Sequence, residues 1–234
     1  MLKKIALLLV VAVTIISCNK FGKNEFKITG KAPGIANDIP VYLQKQDSTG
    51  NMLQLDTVKV KDGKFTFEGK FKELGIHFIQ VDKIEGKAVL IVESGEITVD
   101  IRKDSIGKSK TGGTYSNDQL FTYSKTAEKI QKRMMAFQTA NMAKFSEAQA
   151  AKDTVTINKL MNENTGFQKE FETLSMNHME KNPKSYLSLL FLQQYIGSPT
   201  ADKVKLSKIF KGLDESLRNT KAGKKIKKDL GIKA

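Results

Sequence analysis

The chain has 234 residues, with 39 Lys or Arg against 25 Asp or Glu, a net charge of +14, and a single cysteine. One cysteine excludes an internal disulfide and any cysteine-built metal site, so stability has to come from ordinary burial, and the length suffices for one large or two small cores. The charge gathers late: from residue 203 onward eleven Lys or Arg face three acids. No aromatic residue is interleaved there after Phe210, which argues against nucleic acid and leaves a solvated face or attraction to anionic lipid or envelope polymer.

The first element is a leader. Residues 1–17 read Met-Leu-Lys-Lys, an apolar core over 5–16 broken only by Thr14, and then Ser17 ahead of Cys18. A core of about 12 residues is short of the roughly 20 that cross a bilayer, so a secretory signal is expected rather than a membrane span. The stretch Ile15-Ile16-Ser17-Cys18 resembles the lipobox of bacterial lipoproteins, in which the cysteine becomes the lipid-bearing first residue. That resemblance implies a signal peptide over 1–17, lipid attachment at Cys18, a tether over 18–24 and a body held at the membrane by its acyl chains. Surface-exported Bacteroidetes-type lipoproteins carry an acidic cluster after the cysteine; Lys20 and Lys23 stand here instead, so a periplasm-facing position in the cell envelope is expected. Inner and outer membrane remain equally open.

Residues 25–113 show short alternating runs broken by turn residues: "FKITGK", "IPVYLQKQ", "LDTVKVKDGKFTFEGKF", "IHFIQVD" and "KAVLIVESGEITVDIR". Alternation rich in β-branched and aromatic residues predicts six or seven antiparallel strands in a sandwich or barrel. Asp62-Gly63 predicts a hairpin with a primed turn, with Val58, Val60, Phe65 and Phe67 on the buried side, and Ser94-Gly95 predicts a second one. From Tyr115 the period changes to helical, with Ser116 or Asn117 as cap, and residues 114–234 are expected to be all helical. The fold class is therefore α+β. One helix should end before Pro183, "SYLSLLFLQQYI" should be the most buried, Pro199 should open the next, and a last helix is expected within 213–230.

Catalytic signals are sparse. His77 lies in a strand, and His178 near the end of a helix, where a charged imidazole would be stabilised by the dipole. "GKSKTGGT", residues 107–114, has only a faint likeness to a phosphate loop and lacks its Gly-Lys-Ser/Thr ending. Glu93 with Glu96 and Asp82 with Glu85 flank turns, wet places unsuited to acid–base work. The stripe Met134, Met135, Phe137, Met142 and Phe145 reads as core, with a partner groove as the alternative. No metal, no organic cofactor and no catalytic residue are expected.

Several features then converge on a family. Phe26-Lys-Ile-Thr-Gly30, Val41-Tyr-Leu43, Asp56-Thr57, Asp62-Gly-Lys-Phe65 and Phe67-x-Gly69 together resemble the N-terminal domain of unknown function, DUF4369, that precedes a thioredoxin-like domain in many Bacteroidetes-type envelope lipoproteins. "GGTYSNDQL", "HMEKNPKSYLSLLFL" and "FKGLDESLRNTKAGKKIKKDL" are similar to its usual helical sequel. The thioredoxin-like domain itself, with its Cys-x-x-Cys, is expected to be absent, because the only thiol is Cys18 and thiol–disulfide exchange needs a free thiolate. Two functions remain: a non-catalytic binding or scaffold module of the envelope, or an accessory subunit or front half of a thiol–disulfide oxidoreductase system whose redox domain is a separate, thioredoxin-like chain.

Overall fold

The structure is a computed structural model that describes residues 21–47, 49–199 and 201–233. Cys18, the expected leader and the first part of the expected tether lie outside the described residues. Among the described residues eight strands come first: β1 (Glu25–Lys31), β2 (Pro40–Gln46), β3 (Met52–Lys59), β4 (Lys64–Lys70), β5 (Gly75–Val81), β6 (Ala88–Val92), β7 (Gly95–Asp100) and β8 (Lys110–Gly112). They form two four-stranded sheets, in the orders β4-β1-β7-β8 and β3-β2-β5-β6. Alternate residues of both sheets meet between them, and Ile28, Phe67, Ile79, Leu90 and Ile97 are fully buried there. The expected α+β class, a β-sandwich followed by helices, is what the chain adopts.

Two connections depart from the expectation. Asp62 (φ 49°) and Gly63 (φ 67°) do form a primed turn, closed by reciprocal backbone bonds of 2.8 and 3.0 Å between Lys61 and Lys64. Yet β3 and β4 do not pair beyond that bridge, because they enter different sheets. Val60 donates to Ile39 on one side, Ala32 donates to Gly63 on the other, and the apolar residues meet face to face across the sandwich. Ser94-Gly95 is likewise a corner, since β6 and β7 belong to opposite sheets. One consequence is a parallel pair, β1 with β7, in otherwise antiparallel sheets.

The phenylalanines and glycines of the quoted signature have a common explanation. In the β1/β4 ladder Phe26 lies opposite Gly69 and Gly30 opposite Phe65. A Cβ on Gly30 would stand 2.0 Å from the Phe65 ring, and one on Gly69 3.2 Å from the Phe26 ring. Two copies of Phe-x-x-x-Gly thus run antiparallel, each ring covering the other's glycine.

Six helices follow: α1 (Tyr115–Ala150), α2 (Thr154–Lys181), α3 (Tyr186–Ile196), α4 (Lys203–Gly212), α5 (Glu215–Arg218) and α6 (Lys221–Asp229). Asp153, Ser185, Asp202, Asp214 and Thr220 cap the last five through their side chains. The expected last helix divides into α5 and α6, because Thr220 restarts the ladder and Gly223 lies where a Cβ would be 2.4 Å from the Leu217 carbonyl. α3 packs in the middle of a second core with Met179, Leu206, Phe210 and Ile226, which Ile91 of β6 and Leu74 join from the β domain.

The expected cap of α1 is corrected. Ser116 and Asn117 are not caps: Thr114 holds that position without a side-chain bond, and the Glu93 carboxylate accepts from the Ser116 amide at 2.8 Å. Asn117 is fully buried and turns to the sheet, its amide accepting from Ile91 N at 2.9 Å and donating to Ile91 O at 2.7 Å. In effect, it supplies one residue of a missing strand to the open edge of β6.

Candidate functional site

α1 and α2 form a hairpin whose length decides what they expose. At 1.5 Å per residue the 36 residues of α1 extend about 54 Å, well past its contacts with β6, β8 and α3. The outer part is held by Gln138–Asn164 (2.9 Å), by the forked Arg133–Glu170 pair and by Phe137 against Phe167. Lys152 (φ 55°) makes the tip turn and Asp153 caps α2. A two-helix hairpin has only one inner face, so the stripe is not a closed core: Met135 is 56% exposed and Met142 71%, while Met134, Phe137 and Phe145 are half-buried. Phe137, Met142, Phe145, Leu160 and Met161 line a groove of about 550 Å³ along the arm, with Asn141, Asn164 and Gln168 on its rim.

A second opening lies at the mouth of the sandwich. The sheets splay beside β3 and β4 around a cleft of about 990 Å³ lined by Leu43, Lys45, Leu55, Lys70, Phe71 and His77 among others. His77 is buried, its Nδ1 is 3.0 Å from Gly75 O, and burial first and Lys45 second hold its pKa below the ordinary value. The imidazole is thus neutral at pH 7, its Nδ1–H donating to Gly75. Among the described residues no carboxylate is hydrogen-bonded to the ring, and Asp56, Glu68 and Glu73 also line the cleft, so its wall is mixed polar and apolar.

The other marked residues are structural. Glu96 accepts from Thr29 and Asp82 from Tyr42, while Glu93 joins the sheet to α1. Residues 107–114 hold no phosphate-loop geometry, because Asp118 fills the place beside the first turn of α1: its Oδ1 accepts from Gly113 N at 3.1 Å and lies 2.7 Å from where a Gly112 Cβ would be. Among the described residues no group of three or more His, Cys, Asp or Glu is placed to hold a metal, and no helix is long and apolar enough to cross a membrane.

His178 reverses its expectation. Rather than a charged imidazole facing the helix end, it is buried edge-on to Tyr123 (5.7 Å) and Phe191 (5.8 Å), and desolvation lowers its pKa to about 4. The dipole of one helix end is outweighed by the loss of water. Since the folded pKa lies below the ordinary 6.5, this contribution to stability is complete above that value and is lost as pH falls toward 4. Unfolding titrations at pH 7 and 4.5 should show a loss in the wild type that exceeds the loss in His178→Gln by about 2 kcal/mol; an equal loss in both would refute the assignment.

The β domain and the start of α1 also have a counterpart among known families. Residues 26–120 match the model of a domain of unknown function (DUF4369). The DUF4369 match runs past the last strand into α1, and so takes in both Glu93 and Asn117, the two side chains that tie sheet to helix. Neither a curated protein nor a solved structure matches the chain. Sequence reasoning missed Asn117 because "SND" before a helix reads as capping chemistry; only its zero exposure reveals the other role.

Proposed function

We propose that the protein is a lipid-anchored, periplasm-facing component of the cell envelope that acts as a non-catalytic binding or scaffold module. The observation that carries this reading is the projecting α1–α2 arm with its uncovered methionine and phenylalanine groove, a surface adaptable enough to hold a partner. The anchor rests on the lipobox-like run before Cys18. Asn24 O accepts from Phe71 N at 3.0 Å, and Leu74, three residues on, packs into the helical core. The start of the described chain is therefore linked through Phe71 and Leu74 to the helical core, to which the lysine-rich helix α4 contributes Leu206 and Phe210. There Lys203, Lys208 and Lys211 surround Val204, which is 84% exposed, a surface suited to anionic lipid or polymer. The DUF4369 match supports the resemblance behind the alternative, an accessory subunit for a thioredoxin-like partner.

The test is mass spectrometry of membrane fractions from cells carrying the wild type or Cys18→Ala, each with a photo-crosslinker in place of Met142. A lipid mass on Cys18 and at least about a tenfold shift of the variant to the soluble fraction are expected. Capture of a thioredoxin-like protein through the arm would favour the accessory role, and capture of another envelope protein the general module. An unlipidated wild type would remove the anchor, and an arm that captures nothing would remove the docking role.

A further inference from the structure

Positive charge collects at one more place, apart from the arm, the sandwich mouth and the C-terminal helices. The first turns of α1 lie across β8 and the 3-10 turn Ile106–Lys108, leaving a cleft of about 350 Å³ between them. Its floor is apolar, made by Val89 on the outer face of β6 and by Leu120 and Phe121 of α1. Its rim carries Arg102, Lys108, Lys110 and Lys125 against one acid, Glu128. That acid is already shared, 3.6 Å from Lys108 and 3.0 Å from Lys132. Arg102, Lys110 and Lys125 have no carboxylate at ion-pair distance among the described residues. The ammonium groups of Lys110 and Lys125 stand 5.6 and 5.1 Å from the centre of the same Phe121 ring.

We propose that this cleft binds a phosphate- or sulfate-bearing molecule, with the oxyanion between Lys110, Lys125 and Arg102 and an apolar body on Phe121. Cations drawn to one ring repel each other, and each attraction to the ring is weak at an exposed site. A doubly charged oxyanion relieves that repulsion and takes several charge-assisted hydrogen bonds at once, which a single carboxylate would not exhaust. The mode differs from a phosphate loop. Side-chain ammonium and guanidinium groups do the binding, because Asp118 has the amide of Gly113 and the helix end is closed to anions.

Calorimetric titration of the purified chain with phenyl phosphate and with inorganic phosphate tests this. Saturable sub-millimolar binding of phenyl phosphate is expected at low salt, weakened about tenfold or more by Lys110→Gln with Lys125→Gln. Phe121→Leu should weaken phenyl phosphate while leaving inorganic phosphate within about twofold. Vesicles with and without phosphatidic acid separate the sources: competition between them and phenyl phosphate identifies a lipid head group, and its absence a free phosphate ester. No saturation by about 10 mM, or a double variant that folds and binds like the wild type, would overturn the proposal.

Discussion

Replacing Asn117 with leucine should lower the free energy of unfolding by about 3 kcal/mol, the sum of leaving two buried backbone groups of Ile91 without partners. The side chain has no exposed surface, and its amide is the acceptor for Ile91 N and the donor to Ile91 O. Leucine keeps the branching and heavy-atom count, so the loss is chiefly one of hydrogen bonding, with its bulkier methyl groups adding some overpacking. The expected readings are a lower urea midpoint, faster exchange of the Ile91 amide than of amides in β1 and β4, and concentration-dependent association as β6 presents a bare edge. Asn117→Asp separates the two bonds, since it keeps an acceptor for the amide but sets a second acceptor against Ile91 O. A leucine variant as stable as the wild type would mean that water replaces the side chain, and that the sheet and α1 are not coupled through it.

Gly30→Ala should cost about 2 to 3 kcal/mol although it adds one methyl group, because that methyl falls 2.0 Å from the Phe65 ring. Phe65 has little room to retreat, being 3% exposed and edge-on to Phe67 at 5.9 Å. A double-mutant cycle with Phe65→Leu should therefore be less than additive, with a coupling of about 1 kcal/mol or more. Gly69→Ala is the internal comparison: its Cβ would stand 3.2 Å from the Phe26 ring, a contact that a shift of a few tenths of an ångström relieves, so the cost should stay under about 1 kcal/mol. Equal costs at the two glycines would show that backbone freedom, not ring packing, is what those positions need.

Local chemistry was legible in this sequence and partner choice was not. Asp62-Gly63 announces a primed turn because both residues must take positive φ, a property of the two residues themselves. Whether β3 then pairs with β4 depends on where Val60 and Phe65 find cover, and that cover comes from strands remote in sequence. The same limit explains the other corrections. His178 shows its place on a helix but not the rings of Tyr123 and Phe191 that take it from water, and Asn117 shows a capping side chain but not the edge of β6. Periodicity marked the methionine stripe as apolar correctly, yet could not count the faces a two-helix hairpin would cover. Lys110 and Lys125 lie fifteen positions apart in the sequence, and only the packing of α1 across β8 brings them to one ring.

The parallel pairing of β1 and β7 sets an order of events. The first strand to be synthesised lies inside its sheet, between β4 and β7, with Phe26 matched to Gly95. Such a strand has no stable partner on one side until residues near 100 are available, and closing so long a loop is slow. A chain that emerges from its N-terminus cannot complete this sheet early, and during that interval it stays threadable. Under the proposed export to the envelope, this topology would itself supply a delay before folding.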